Sequence, residues 1–152
     1  MAEYAYQEME AWNTALRLAA AVGRLRIGSN LKAAETAQQH AFEQAGIAVA
    51  AIAEGSGRDG GGQVALYRDA RGALAQCRAW IHVLASVTNE QDAVFGNELD
   101  LAETASRQLN AALRSLDRAP SPAGAPRGGG QPYRQGAPAP RPPGPPRERR
   151  DR

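Results

Sequence analysis

Proline is absent from the first 119 residues of this 152-residue chain, because all ten prolines lie at or after Pro120. Proline interrupts helices and central strands, so its distribution separates residues 1–118 from a tail, residues 119–152, that is rich in Pro, Gly and Arg. Charge divides at the same place: the first part has 11 Lys and Arg against 14 acids, a net charge of −3, and the tail has 7 Arg against 2 acids, a net charge of +5. We therefore expect one folded domain, residues 1–118, followed by a disordered basic tail.

Cysteine and histidine are scarce, with only Cys77, His40 and His82 in the chain. One cysteine cannot form an internal disulfide, and the three residues are too few for a structural zinc site. No serine or cysteine nucleophile stands near a plausible base, so we expect no enzymatic activity, no metal and no cofactor. We expect no membrane span, because no apolar run approaches eighteen residues. We also expect no signal peptide, because the first residues include acids where such a peptide has Lys or Arg. Both expectations favour a cytoplasmic location.

The segment "AEGSGRDGGG" places Gly55, Gly57 and Gly60 at the GxGxxG spacing of dinucleotide-binding loops. Such a loop follows a strand and needs an acid about twenty residues later to bind ribose, but no acidic residue lies between Asp69 and Glu90. The preceding "GIAVAAIA" continues a helical pattern. We interpret the glycines as a turn between two helices, with a phosphate on the amides of the second helix as an open alternative.

Apolar residues recur every three or four positions in four segments, which is the period of an amphipathic helix. The predicted helices are residues 8–27, 31–54, 62–87 and 97–117, and Thr88 with Gln91 is predicted to form a capping box before the fourth. Short turns between them predict an all-α, antiparallel up-down four-helix bundle. The predicted core stripes are Met9, Trp12, Leu16, Ala19 and Val22; Ala34, Ala41, Ala45, Ala48 and Ile52; Tyr67, Ala70, Leu74, Cys77, Ile81 and Leu84; and Ala102, Ala105, Leu109, Ala112 and Leu116.

The end of the second predicted helix is apolar or small on nearly every side. A helix that is apolar all round is buried all round, so the residues off its core stripe predict an oligomer interface. The alternative is that alanine is simply tolerated on a helix surface. The predicted interface residues are Gly46, Ile47, Ala50 and Ala51.

Two basic regions are candidate nucleic-acid sites. On the third predicted helix, four side chains fall within about 80° of one another, a row that could follow phosphates or could pair with acids of a neighbouring helix. The tail places arginine among glycine with one aromatic residue, Tyr133, which is typical of segments that bind RNA or single-stranded DNA, although it could instead serve solubility. The candidate residues are Arg68, Arg71, Arg78 and His82 in the helix and Arg127, Arg134, Arg147, Arg149 and Arg150 in the tail.

The segments "IAEGSGR" and "LYRDARGALAQCRAWIHVLASV" resemble the bacterial four-helix bundle family. This family includes proteins encoded in intervening sequences of large-subunit ribosomal RNA genes and the accessory variability determinant of diversity-generating retroelements. The resemblance covers most of residues 8–118, and its motif positions are Leu66, Tyr67, Gly72, Arg78 and Trp80.

The resemblance implies a homopentamer and, for the retroelement branch, binding to a reverse transcriptase and to nucleic acid. Many family members have Asn where this chain has Ala51 and a basic residue where it has Glu43, so any role of those positions is not carried over. The expected function is that of a non-catalytic oligomeric accessory protein that binds nucleic acid. A structural homo-oligomeric scaffold without nucleic-acid binding is the alternative.

Overall fold

The computed structural model describes residues 5–28 and 30–118, and this part of the chain is all-α. No strand is present among these residues, so the predicted four-helix, all-α class is confirmed. The predicted tail, residues 119–152, lies outside the described residues. The elements are a 3-10 turn at Ala5–Glu8, α1 (Glu10–Arg24), α2 (Lys32–Ser56), α3 (Gly60–Thr88), a second 3-10 turn at Asp92–Phe95, and α4 (Gly96–Arg118).

The side-chain contacts between α3 and α4 show how these two helices run. Arg71 meets Asn110, and Arg78, two turns further along α3, meets Glu103, two turns earlier along α4. The order of contacts is therefore opposite in the two helices, so α3 and α4 are antiparallel.

The contacts between α2 and α3 show that these two helices also run in opposite directions. The His40 ring stacks on the Trp80 ring with centroids 4.5 Å apart, whereas Gly55, later in α2, lies against Tyr67, earlier in α3. These two helices are also antiparallel, with the glycine-rich turn between them at one end of the bundle.

Alanine supplies much of the core. Small buried side chains allow the helices to approach closely, and larger aliphatic side chains fill the remaining space. All predicted stripe residues of α2 and α3 are buried, which confirms those two stripes. The largest fully buried side chains are Leu18, Val22, Ile52, Leu74, Cys77, Ile81, Leu84 and Leu109.

The predicted stripe of α1 is partly wrong. Leu16 is 43% exposed, whereas Leu18, which the stripe omitted, is fully buried. The two positions are about 200° apart on a helix, and the spacing of alanines in α1 fits either register, so the sequence pattern alone could not choose between them. The predicted stripe of α4 has the same ambiguity. Leu113, which the stripe omitted, is buried, whereas Ala112, which it included, is only half-buried.

The predicted capping box is also wrong. Thr88 lies inside α3, where its hydroxyl donates hydrogen bonds of 2.9 Å to the Leu84 carbonyl and 3.3 Å to the Ala85 carbonyl. The helix ends one residue later at Asn89, whose φ of 56° lies in the left-handed region. The Glu90 amide then donates to the Ala85 carbonyl at 2.9 Å, a pattern typical of a helix C-terminus.

Candidate nucleic-acid interface

Two of the four predicted basic residues on α3 keep an uncompensated positive charge. Arg71 Nη1 donates a hydrogen bond of 3.0 Å to Asn110 Oδ1, and because asparagine is neutral this bond orients the guanidinium without neutralising it. Arg68 lies one turn earlier on α3 and has no hydrogen bond or ion pair within residues 5–28 and 30–118. Both side chains are exposed, so both could contact an anionic partner.

The other two residues are paired with acids. Arg78 Nη2 lies 3.7 Å from Glu103 Oε2 on α4, and His82 Nδ1 lies 3.0 Å from Asp92 Oδ2 in the second 3-10 turn. Arg78 and His82 therefore fit the alternative interpretation, in which the row is a solvated face with acidic partners on neighbouring segments. The structure divides the predicted row into an uncompensated half and a compensated half.

Helix α4 adds two arginines to the uncompensated half. Arg107 lies three residues before Asn110 and Arg114 lies four residues after it, so all three share one side of α4. Arg107 donates a 3.2 Å hydrogen bond to the Thr104 hydroxyl, and Arg114 has no hydrogen bond or ion pair in the described part of the chain. We call Arg68, Arg71, Arg107 and Arg114 the seam patch, because they are exposed arginines of the two helices that meet at the Arg71–Asn110 contact.

The α4 arginines were not among the residues predicted from the sequence. Their spacing of seven residues places Arg107 and Arg114 on one face of a helix, and that signal is readable from the sequence. Which helix lies beside Asn110 depends on tertiary packing, so the contact of Arg71 with α4 could not be read from the pattern.

The tail follows directly from the end of α4 at Arg118. Because α3 and α4 are antiparallel, α4 ends near the end of the bundle at which α3 begins, which is the end nearer to Arg68 and Arg114. The predicted tail residues lie outside the described residues. They are Arg127, Arg134, Arg147, Arg149 and Arg150.

Three of the four residues predicted as an oligomer interface are exposed. Ile47 is 50% exposed, and Gly46 and Ala50 lie beside it at the surface of α2. Ala51 is only 8% exposed and packs in the core of its own chain, because the step from Ala50 to Ala51 turns the side chain toward α3. Ala51 therefore does not belong to an exposed interface.

The glycine-rich segment is a helix end and a turn. Gly55 lies in the last turn of α2, where it is buried against Tyr67, and α3 begins at Gly60 with a φ of 58°. The segment before Gly55 is helical, so the strand that a dinucleotide-binding loop requires is not present. The interpretation of these glycines as a turn between helices is confirmed.

Cys77 is the one cysteine of the chain, and it is buried in the core. Burial raises the pKa of the Cys77 thiol to about 12, so this thiol stays protonated at neutral pH and is a poor nucleophile. The described residues hold no group of three or more His, Cys, Asp or Glu that could hold a metal ion. Cys77 is a core residue in this structure.

No protein-family model, curated protein or solved structure matches this chain. The resemblance to the bacterial four-helix bundle family therefore stays a prediction. Within residues 5–28 and 30–118, no helix has both the length and the apolar character to span a membrane.

Proposed function

We propose that this protein is a non-catalytic accessory protein that binds RNA or single-stranded DNA through the seam patch and the tail. One observation carries the proposal: Arg68, Arg71 and Arg114 are exposed and have no acidic partner among the described residues. Each guanidinium presents a planar set of donors that matches the oxygens of a phosphate. A row of such groups would follow a phosphate backbone without reading its sequence.

The charge of the seam patch supports an anionic partner even though the domain has a net charge of −3. Arg68 and Arg114 have no acidic partner in the described structure, and the Arg71 bond to Asn110 removes no charge. Asp69, Glu103 and Asp117 lie within four residues of the patch arginines along the two helices, and Glu103 is paired with Arg78. The four arginines still outnumber these three acids, whereas the domain as a whole has more acids than Lys and Arg.

The partners that we propose follow the family resemblance. They are a homo-oligomer, with five copies as in that family, and a reverse transcriptase of a diversity-generating retroelement. We also propose a cytoplasmic location. None of these rests on the seam patch, so each can fail without affecting nucleic-acid binding.

The test compares two double variants of the chain truncated after Arg118. Arg68→Gln with Arg114→Gln removes two unpaired charges of the patch, and Arg26→Gln with Lys32→Gln removes two unpaired charges at the opposite end of the bundle. Binding to a labelled 20-nucleotide RNA and to single-stranded DNA is measured by fluorescence anisotropy at low and high salt. We expect the patch variant to bind about tenfold more weakly, on the order of 1.4 kcal/mol, and the control to bind within twofold of the parent.

Three outcomes would contradict the proposed site. Equal losses in both variants would show that only total charge matters. Binding by the full chain but not by the truncated chain would assign the activity to the tail alone, and no binding by either would reject the function.

A structural scaffold is the second candidate function, and one observation favours it. Ile47 is half exposed on α2 beside Gly46 and Ala50, so an apolar surface faces away from the core of the chain. A protein that only assembles and binds other proteins would show self-association without salt-dependent affinity for RNA or DNA.

A further inference from the structure

A basic groove with an apolar floor lies between α1 and α4. Its volume is about 410 Å³, and Leu16 at 43% exposure forms part of its wall. We call it the α1/α4 groove. Its lining residues are Leu16, Arg17, Ala20, Ala21, Arg24, Asn97 and Leu101.

The two arginines of the groove are unpaired. Arg17 and Arg24 are exposed, seven residues apart on α1, and therefore lie on one face about 10 Å apart along the helix. Neither has a hydrogen bond or ion pair among the residues that the structure describes. Two fixed positive charges beside an apolar floor suit a partner helix that carries acids beside apolar side chains.

The exposed face of α2 has that chemistry. Phe42 is 47% exposed and Ile47 is 50% exposed, and both lie near the exposed carboxylates of Glu35 and Glu43. These carboxylates are eight residues apart, about 12 Å along the helix, which is close to the separation of the groove arginines. Lys32, in the first turn, is the one Lys or Arg of α2, and His40 lies beside Glu43.

Neither carboxylate is paired with an arginine or a lysine among the described residues. Glu35 has no side-chain hydrogen bond or ion pair in the described part of the chain. Glu43 accepts a 3.1 Å hydrogen bond from the neutral amide of Gln39 and lies 3.4 Å from His40 Nδ1. We call Glu35, Phe42, Glu43, Gly46 and Ile47 the α2 ridge.

Gly46 gives independent support for close contact at the α2 ridge. It lies in the middle of a 25-residue helix, where glycine is less stable than alanine by about 1 kcal/mol. A Cβ at this position would meet no atom within 4 Å, so the packing of the chain itself does not require a glycine. Because residue 46 has no side chain, a helix of another chain could approach the α2 backbone closely at this point.

We propose that the α2 ridge of one copy docks in the α1/α4 groove of a second copy. The inference rests on the proposed homo-oligomer and names the two surfaces that would form its contact. Because the surfaces differ, the contact is heterologous: each copy offers a ridge to one neighbour and a groove to another. Such contacts close into a ring or continue as a filament, and they do not form a two-fold dimer.

The test is charge reversal in the full chain, with mass measured by analytical ultracentrifugation. The ridge variant is Glu35→Arg with Glu43→Arg, and the groove variant is Arg17→Glu with Arg24→Glu. We expect the dissociation constant for self-association to rise at least tenfold in each variant. A chain with all four substitutions should recover association, because the charges are again complementary.

The control is Asp59→Arg with Asp69→Arg, which changes two exposed acids outside both surfaces and should associate like the parent. Circular dichroism checks that every variant is folded.

The outcomes separate this inference from the proposed function. A parent oligomer that survives both reversals would refute the ridge-and-groove contact and leave the oligomer intact. Loss in the ridge variant without loss in the groove variant would also overturn it, since the ridge would then have another partner surface. A monomeric parent at high concentration would reject the oligomer itself, and the nucleic-acid measurements would stand independently.

Discussion

At the scale of single residues, Gly55 shows how a missing side chain sets the distance between helices. A Cβ on residue 55 would lie 2.7 Å from Tyr67 Cε1 and 3.2 Å from Leu66 Cβ, and both distances are too short for ordinary contact. Tyr67 is buried, so its ring has little room to move. The close approach of α2 and α3 at this end of the bundle therefore depends on glycine.

We expect Gly55→Ala to lower the free energy of unfolding by about 1–3 kcal/mol, because overpacking outweighs the better helix propensity of alanine. Gly72→Ala is the matched control, since residue 72 is an exposed mid-helix position with no atom within 4 Å of its Cβ site. There alanine should raise the free energy of unfolding by about 0.5–1 kcal/mol. Urea titration of both variants measures the difference, and equal effects of the two substitutions would argue against the steric role of Gly55.

At the scale of helices, the end of α1 is held by a side chain from α2. Gln38 Nε2 donates hydrogen bonds of 2.9 Å to the Val22 carbonyl and 3.1 Å to the Leu25 carbonyl. The Val22 carbonyl also accepts a 3.3 Å hydrogen bond from the Leu25 amide, whereas Gln38 is the donor that satisfies the Leu25 carbonyl just beyond the helix end. The bond also fixes α1 against α2 where the chain turns between them.

We expect Gln38→Met to destabilise the protein by about 1–2 kcal/mol, because the Leu25 carbonyl loses its donor and the Val22 carbonyl keeps only the bond from the Leu25 amide. Gln39→Met is the control, since Gln39 is exposed and bonds only to Glu43 on its own helix. Its effect should stay within about 0.5 kcal/mol. Thermal or urea unfolding followed by circular dichroism compares the two, and a similar loss in both would show that the contact with α1 contributes little.

Sequence periodicity was sufficient for the number and type of helices and for the stripes of α2 and α3. In α3, large side chains such as Leu74 and Ile81 recur at heptad spacing, so one register is clearly better than the others. In α1, whether Leu16 or Leu18 faces the core depends on which helices cover it. The alanines of α1 fit either face, so they do not favour one register over the other. The sequence left acidic partners of the α3 row open as an alternative but could not name Glu103 and Asp92, since they come from other segments of the fold.

At the scale of the whole molecule, the net charge of +2 conceals two parts of opposite sign. The domain has a net charge of −3 and the tail a net charge of +5, so their affinities for an anionic polymer would depend differently on salt. The seam patch is a local exception within the domain. The affinity of the full chain should therefore contain two electrostatic contributions that can be measured separately.

We expect the dependence of affinity on salt to be steeper for the full chain than for the chain truncated after Arg118. Each phosphate contact with a single strand contributes about 0.7 to the slope of log affinity against log salt concentration. The seven tail arginines would contribute up to about 5, and Arg68, Arg71 and Arg114 together about 2, on that scale. Titrations at four salt concentrations give both slopes, and identical slopes would exclude the tail from the contact.

The contact between Glu10 and Gln108 brings the first turn of α1 beside the second half of α4, with 3.5 Å between their side chains. Only ten residues of α4 follow Gln108, a distance of about 15 Å. Segments attached before α1 and after α4 therefore leave from the same end of the bundle. A short linker between these two points, with the chain reopened in the turn at residues 57–59, would give a circular permutant that keeps all four helices uninterrupted.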